Sequence, residues 1–262
     1  MVELVEEFRH QPGPELHWAE AWHFEVVAPD ASFGLYARLA FERTRAWWWS
    51  VIVRVGEPTL LVRDQELDLP RGYEVRGDGL WADVTCHDAM KRWQVNFEGF
   101  ALALDDPLDA YADERGVRTP VEFEFDWDAT APPTPIVGVT GYGQRCRGGG
   151  DATIIGAEAL SLDDASAGYR THTWGVCDYA ARDWVACEGA VAYADAIELI
   201  EGPDGWPASS TIDGVLVKPR LVGGVLVDTP EGRTRPLHRA VSTITDTDGE
   251  TRFGWAEWNL SS

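Results

Sequence analysis

The densest run of side chains able to do chemistry is Gly168-Tyr-Arg-Thr-His-Thr-Trp-Gly-Val-Cys-Asp-Tyr179, followed by Arg182-Asp-Trp184. Side chains alternate along a strand, so His172 and Trp174 project from one face and set a proton-transfer group beside an indole wall. Tyr193 and Asp195 stand in the same i, i+2 relation and share a face if their segment is extended. If both faces line one cavity, it holds an imidazole, a carboxyl, a phenol and an indole, an acid–base pocket suited to an apolar substrate. Burial there would raise the Asp195 pKa, so that its acid form persists near neutral pH and donates a proton. A carbocation made by protonating an alkene would be stabilised by each neighbouring aromatic face by about 0.5 to 2 kcal/mol. On spacing alone, a His-x-Trp pair in a Trp-rich β-protein is more often core packing, and Asp195 fits a solvated turn or helix equally well.

The elements that must position these residues are strands. Val121-Glu-Phe-Glu-Phe-Asp-Trp-Asp128 alternates perfectly, with Val121, Phe123, Phe125 and Trp127 on one side and acids on the other. Leu35 to Glu42 alternates too, Trp47 to Val55 places Trp47, Trp49, Val51, Val53 and Val55 together, and Trp93, Val95 and Phe97 repeat the pattern. Turn pairs separate such runs: Arg71-Gly72, Asp78-Gly79, Asp204-Gly205, Asp213-Gly214, Gly223-Gly224 and Asp248-Gly249. The pattern predicts an all-β protein of antiparallel barrels or sandwiches with few short helices. Only Asp106–Arg115 and Ala190–Ile200 show competing helical character. The segment Ala129-Thr-Ala-Pro-Pro-Thr-Pro135 cannot lie in a paired central strand, which predicts two β-domains, 1–131 and 136–262.

The 262 residues carry 44 acids against 22 Lys plus Arg, and the net charge of −22 excludes binding to nucleic acid or an anionic membrane through charge. No stretch is apolar enough for a membrane span and the start has no signal-like pattern, so a cytoplasmic protein without an integral membrane segment is expected. Cys86, Cys146, Cys177 and Cys187 are spaced as buried free thiols rather than as ligands or disulfides. Gly148-Gly-Gly150 lacks the Gly-Lys-Ser/Thr of a phosphate loop and reads as a flexible hairpin tip. His17 and His23 lie close together but lack a carboxylate at a matching offset, so they read as ordinary strand histidines and no metal is expected. Nucleophile-elbow, zinc-protease and dinucleotide fingerprints are missing, and no cofactor is expected. The compositional outlier is 13 Trp, which calls for large apolar cores or an aromatic pocket.

Gly143-Gln144-Arg145 followed by Arg170-Thr-His-Thr-Trp-Gly-Val-Cys-Asp-Tyr179 resembles the Gln…Arg-Asp-His-Ser-Trp-Gly-x-Arg-Asp-Trp pattern of the carotenoid 1,2-hydratase (hydroxyneurosporene synthase) and AttH-like superfamily. Glu20-Ala-Trp-His-Phe24 is similar to that superfamily's Glu-Trp-Trp-Tyr-Phe opening, and Arg92-Trp-Gln-Val-Asn-Phe-Glu-Gly99 to its Arg-Trp-x-Val strand. The resemblance implies two tandem lipocalin-like barrels with a hydrophobic pocket in or between them, acting on alkenes of isoprenoid-like substrates. Carried over by motif, His172, Trp174, Tyr193 and Asp195 are the catalytic candidates. Glu20, Trp22, Tyr142, Gln144 and Trp184 are the substrate-binding ones. The sequence departs from the pattern at Thr171, where the family has Asp, and at Cys177, Tyr179, Ala21 and His23.

The combined expectation is a cofactor-independent enzyme that hydrates, dehydrates or isomerises an alkene of a hydrophobic isoprenoid- or polyketide-like small molecule. Asp195 would be the general acid and His172 the proton relay or water-positioning group. The alternatives are a pericyclase or cyclase that folds a polyene, a lipocalin-like carrier of a lipophilic ligand, and, more weakly, a carbohydrate-binding sandwich.

Overall fold

The computed structural model describes residues 2–111, 115–176, 183–188, 190–193, 197–202, 206–228 and 234–260. The first eleven strands are β1 (Trp18–Val27), β2 (Phe33–Phe41), β3 (Arg45–Arg54), β4 (Thr59–Asp68), β5 (Glu74–Gly77), β6 (Leu80–Asp88), β7 (Arg92–Leu104), β8 (Val117–Ala129), β9 (Thr134–Pro135), β10 (Gly141–Ile154) and β11 (Leu160–Val176). Antiparallel pairing runs β1-β2-β3-β4-β7-β8-β10-β11 and returns to β1, which closes a ring of eight strands. Closure pairs the β4 edge of the ring with β7 and leaves β5 as the outer strand of the β7-β6-β5 branch. The 13-residue β7 makes it possible by splitting its partners: Arg92–Gly99 pairs with β6, which carries β5, while Leu102–Leu104 pairs with β4.

The second sheet holds β12 (Trp184–Cys187), β13 (Ala190–Tyr193), β14 (Ile197–Glu201), β15 (Pro207–Ile212), β16 (Val215–Val222), β17 (Val225–Asp228), β18 (Thr234–Thr245) and β19 (Thr251–Asn259). Its order is β13-β12-β19-β18-β16-β15-β14, with β17 also on β18. All-β architecture is therefore as the alternation predicts. Among the described residues the only helical turns are 3-10, at Leu4–Glu7 and Pro107–Tyr111, and the two segments of helical character contribute the second of these and strands β13 and β14. Among the described residues no helix is long and apolar enough to cross a membrane.

The proline-rich segment does not separate the sheets. β10 and β11, which follow it, pair with β8 and β1, and the chain enters the second sheet only between Val176 and Trp184. The prolines stay out of the central ladder, as their missing N–H requires, by forming a connection within the barrel in which Thr134–Pro135 borders β10.

Three apolar layers follow from the alternation. Inside the barrel lie Trp22, Phe24, Leu35, Trp48, Trp93, Val95, Phe97, Phe123, Phe125 and Trp127. Between barrel and second sheet lie Tyr36, Trp47, Trp49, Val51, Val53, Val241 and Trp255. A third cluster, including Val185, Val217, Ile244 and Trp258, fills the other face of the second sheet. Because the second sheet covers the outside of β1 to β3, β2 is buried on both faces along its whole length. Val55 departs from its predicted face: it lies past the end of β3 and is exposed. At Gly34 the two sheets approach so closely that a Cβ would sit 2.3 Å from Val241 Cγ2. Gly148–Gly150 is not a hairpin tip: it lies within β10, paired on both sides at an irregularity in register, and a Cβ on Gly148 would meet Val26 Cγ2 at 2.5 Å.

Candidate functional site

A cavity of about 730 Å³ opens between the barrel and the second sheet. Its barrel-side wall is one face of β1 (Ala19, Ala21, His23, Glu25) and one face of β11 (Tyr169, Thr171, Thr173). The opposite wall comes from β12, β13, β18 and β19, with Trp184, Val191, Tyr193, Arg239, Trp255 and Glu257. The register places Thr171 across from His23 and Tyr169 across from Glu25, so the small residues Ala19 and Ala21 leave the space and the polar pair His23 and Glu25 furnishes it.

The polar centre is a buried cluster. Arg239 Nη2 donates to Glu25 Oε1 at 2.6 Å, its Nη1 donates to Glu257, and the guanidinium lies 3.2 Å above the Tyr36 ring. Burial pushes the Glu25 carboxyl from 4.5 up to about 7 against the pull of Arg239, with the nearby Glu257 and Glu188 charges adding to the rise. Burial, with the charges of Arg38 and Arg239, holds the His23 imidazole well below its ordinary range, so it is neutral. Its Nδ1 is hydrogen-bonded to the Tyr36 hydroxyl at 2.9 Å, and its buried Nε2 has no hydrogen-bond partner among the described residues. The cavity thus presents a carboxyl that exchanges its proton near neutral pH beside a neutral imidazole, within aromatic walls.

The sequence-predicted residues divide between two faces. Tyr193, Trp184 and Trp174 line the cavity. Glu20, Trp22, Tyr142, Gln144 and His172 do not; they project from the other face of β1, β10 and β11 into the barrel and are fully or almost fully buried. Asp195 lies outside the described residues, as do Cys177 and Tyr179. His172 and Trp174 do stand together, with ring centroids 4.9 Å apart, but His172 is not part of the cavity wall that holds Tyr193.

The inward-facing group receives the N-terminal segment. The fully buried Glu7 carboxylate accepts hydrogen bonds from Tyr142, Trp93 and Arg170, whose Nη2 lies 3.0 Å from Glu7 Oε1. Burial alone would raise the Glu7 pKa; Arg170 and the hydrogen bonds reverse this and hold it below the ordinary range. Arg170 Nε also donates to Gln144 Oε1 at 2.9 Å, and Gln144 Nε2 donates to the Met90 and Ala131 carbonyls. The Gln…Arg spacing in the sequence therefore encodes a plug of the barrel end. His172 stacks on Trp22 at 4.2 Å, and burial lowers its pKa while Glu20 and the Glu6 carbonyl oppose the shift.

The residues the sequence reading missed are Glu25, Arg239, Glu257 and the functional placement of His23. A signal for two of them existed: Ala19, Ala21, His23 and Glu25 alternate with Glu20, Trp22 and Phe24, one face roomy and polar, the other bulky. Arg239 and Glu257 reach the site from strands more than 200 residues away, through pairings no local pattern reveals.

Three solved structures share this architecture. Kievitone hydratase from Nectria haematococca superimposes with a TM-score of 0.60 at 12% identity, covering 100% of this chain and 93% of that one. CghA aligns with a TM-score of 0.54 at 10% identity over 92% of this chain and 88% of its own, and CghA with Sch210972 with 0.52 at 10% over 92% and 87%. At these identities the likeness is one of fold, a lipocalin-like β-architecture in a hydratase and in CghA alike. No curated protein matches the sequence. A family model covers residues 3–193, from the plug through the barrel to the cavity-lining Tyr193, and the chain belongs to that family, described as a domain of unknown function (DUF7064).

Proposed function

We propose that the chain is a cofactor-independent enzyme that protonates an alkene of a hydrophobic isoprenoid- or polyketide-like substrate held in the cavity between the sheets, leading to hydration, dehydration or isomerisation. The carrying observation is the Glu25 carboxyl, pushed up to about 7, on the wall of a cavity of about 730 Å³ lined by Trp174, Trp184, Tyr193 and Trp255. In the hydration direction, the protonated Glu25 gives its proton to one alkene carbon and the pi electrons form that C–H bond. The neighbouring carbon becomes cationic, water adds its oxygen there, and the proton water loses returns to the Glu25 carboxylate. Neutral His23 orients the water, and the aromatic faces stabilise the cation by about 0.5 to 2 kcal/mol each. In this reading Glu25 takes the acid role the sequence suggested for Asp195, and Trp174, Tyr193 and Trp184 shape the pocket. Membership in the carotenoid hydratase and AttH-like superfamily is part of the same proposal, supported by the shared fold and the ordered motifs.

The test incubates the wild type and Glu25→Gln with a panel of isoprenoid and polyketide polyenes in deuterated water. Retinol quenching of Trp fluorescence monitors pocket binding. The expected result is product carrying deuterium on carbon from the wild type, and none from Glu25→Gln although retinol still binds. Full turnover by Glu25→Gln refutes the acid mechanism. Turnover without deuterium in both proteins favours a pocket that only folds the substrate, and binding without product from any substrate favours a carrier.

A further inference from the structure

On the barrel side of the β1–β11 wall, His10 and His172 meet one carboxylate. His10 Nδ1 lies 2.7 Å and His172 Nε2 2.9 Å from Glu20 Oε1, and the three donor groups lie within 4.8 Å of one another. The far nitrogen of each ring is also engaged: His172 Nδ1 lies 2.7 Å from the Glu6 carbonyl oxygen and His10 Nε2 lies 3.0 Å from Glu6 Oε2. All four of these contacts end on a carbonyl or carboxylate oxygen, whereas an imidazole that carries a single N–H can satisfy only one of its two. A cation at Glu20 resolves the mismatch, because the two N–H groups then point outward to Glu6 and the two ring lone pairs point inward with the carboxylate. Imidazoles whose second N–H is held by a carboxylate and by a backbone carbonyl are the usual surroundings of metal-binding histidines. The contacts of 2.7 and 2.9 Å fall just short of the roughly 3.0 Å between adjacent octahedral ligands of an ion bound at about 2.1 Å, and opening them by about 0.5 to 0.7 Å reaches the roughly 3.4 Å of a tetrahedral site.

We propose that His10 Nδ1, His172 Nε2 and the Glu20 carboxylate form a binding site for a divalent first-row transition-metal ion. Two imidazoles and a carboxylate on one side of the ion leave positions for water, and the 23% exposure of the His10 side chain gives the ion an entry route. The ion fastens the segment that carries Leu4–Glu7 and His10 onto the barrel. It lies on the far side of the wall from Glu25 and is independent of the acid chemistry proposed for the cavity. Trp174, stacked on His10 at 4.1 Å and lining the cavity, touches both compartments.

The test uses the full chain, stripped with a chelator and titrated at neutral pH with Zn2+ and, separately, Co2+. The expected results are one equivalent of Zn2+ bound by calorimetry, visible Co2+ bands shaped by nitrogen ligands, and a higher Tm with metal. His10→Ala and Glu20→Gln should lose all three, and Glu6→Gln should weaken binding by about 10- to 100-fold through loss of the outer hydrogen bond. His10 sits at the edge of the cluster, so His10→Ala carries the test if Glu20→Gln fails to fold. No uptake by the wild type, or equal uptake by folded His10→Ala, overturns the site; the first outcome means that the cluster holds protons in place of an ion.

Discussion

Replacing Glu25 by Gln tests whether burial controls this carboxyl more strongly than its ion pair does. The side chain is 15% exposed, and the Arg239 guanidinium donates to it at 2.6 Å. A pKa raised from 4.5 to about 7 means that the folded protein holds this proton more tightly than the unfolded chain. The stability contributed by the protonated group is therefore fully present below pH 4.5 and is lost as pH rises through about 7. At about 1.4 kcal/mol per pH unit the interval corresponds to about 3 kcal/mol. Gln cannot titrate, and it keeps a carbonyl oxygen for Arg239, which retains Glu257. Urea unfolding of both proteins at pH 5, 6, 7 and 8 should give free energies whose difference, variant minus wild type, rises by about 2 to 3 kcal/mol between pH 5 and pH 8. Parallel pH dependences would refute the claim that burial dominates, and would remove the basis for Glu25 as an acid near neutral pH.

Other substitutions probe the frame that holds the site. Arg170→Met should cost about 3 to 5 kcal/mol near neutral pH in urea unfolding, because it leaves the Glu7 carboxylate buried without its cation. Glu7 has a depressed pKa, so its ionised form contributes stability above pH 4.5 that is lost as pH falls; the Arg170→Met deficit should shrink in acid as Glu7 takes up a proton. Gly34→Ala should lower stability by about 1 to 3 kcal/mol, measured in the same way, since its Cβ would meet Val241 and force the sheets apart. Cys146 and Cys187 are buried thiols whose pKa burial pushes upward, so a disulfide reagent at pH 8 should modify them far more slowly in the native protein than in urea.

Much of the fold was legible because alternation reports directly on which side of a strand is dry. Val121, Phe123, Phe125 and Trp127 do face the barrel interior, and Trp93, Val95 and Phe97 join them there. The same rule was less informative where both faces are buried: Trp47 and Trp49 pack toward the second sheet while Trp48 between them packs inside the barrel. The proline run marked a real interruption, but a break in local pairing does not say which sheet the next strand joins. Of the site, His172 and Trp174 stand together as the i, i+2 spacing required, and Tyr193 lines the cavity. What spacing could not supply was which side of β11 the cavity occupies. That depends on the register against β1 and on the docking of a second sheet, both set by long-range packing.

The shared wall of β1 and β11 makes substitutions and length changes unequal kinds of mutation in this protein. Positions 19 and 21 of β1 and 169, 171 and 173 of β11 line the cavity beside Glu25 and His23, so single substitutions there should alter what the cavity binds while leaving the barrel interior intact. Deleting a single residue between Tyr169 and Trp174 would instead exchange the two sides. Part of the polar wall of the cavity would turn into the barrel, and the partners of Glu7 and Glu20 would turn out of it. New substrate preferences in this architecture should therefore arise by point changes along alternate positions, with insertions and deletions confined to the turns that join the strands.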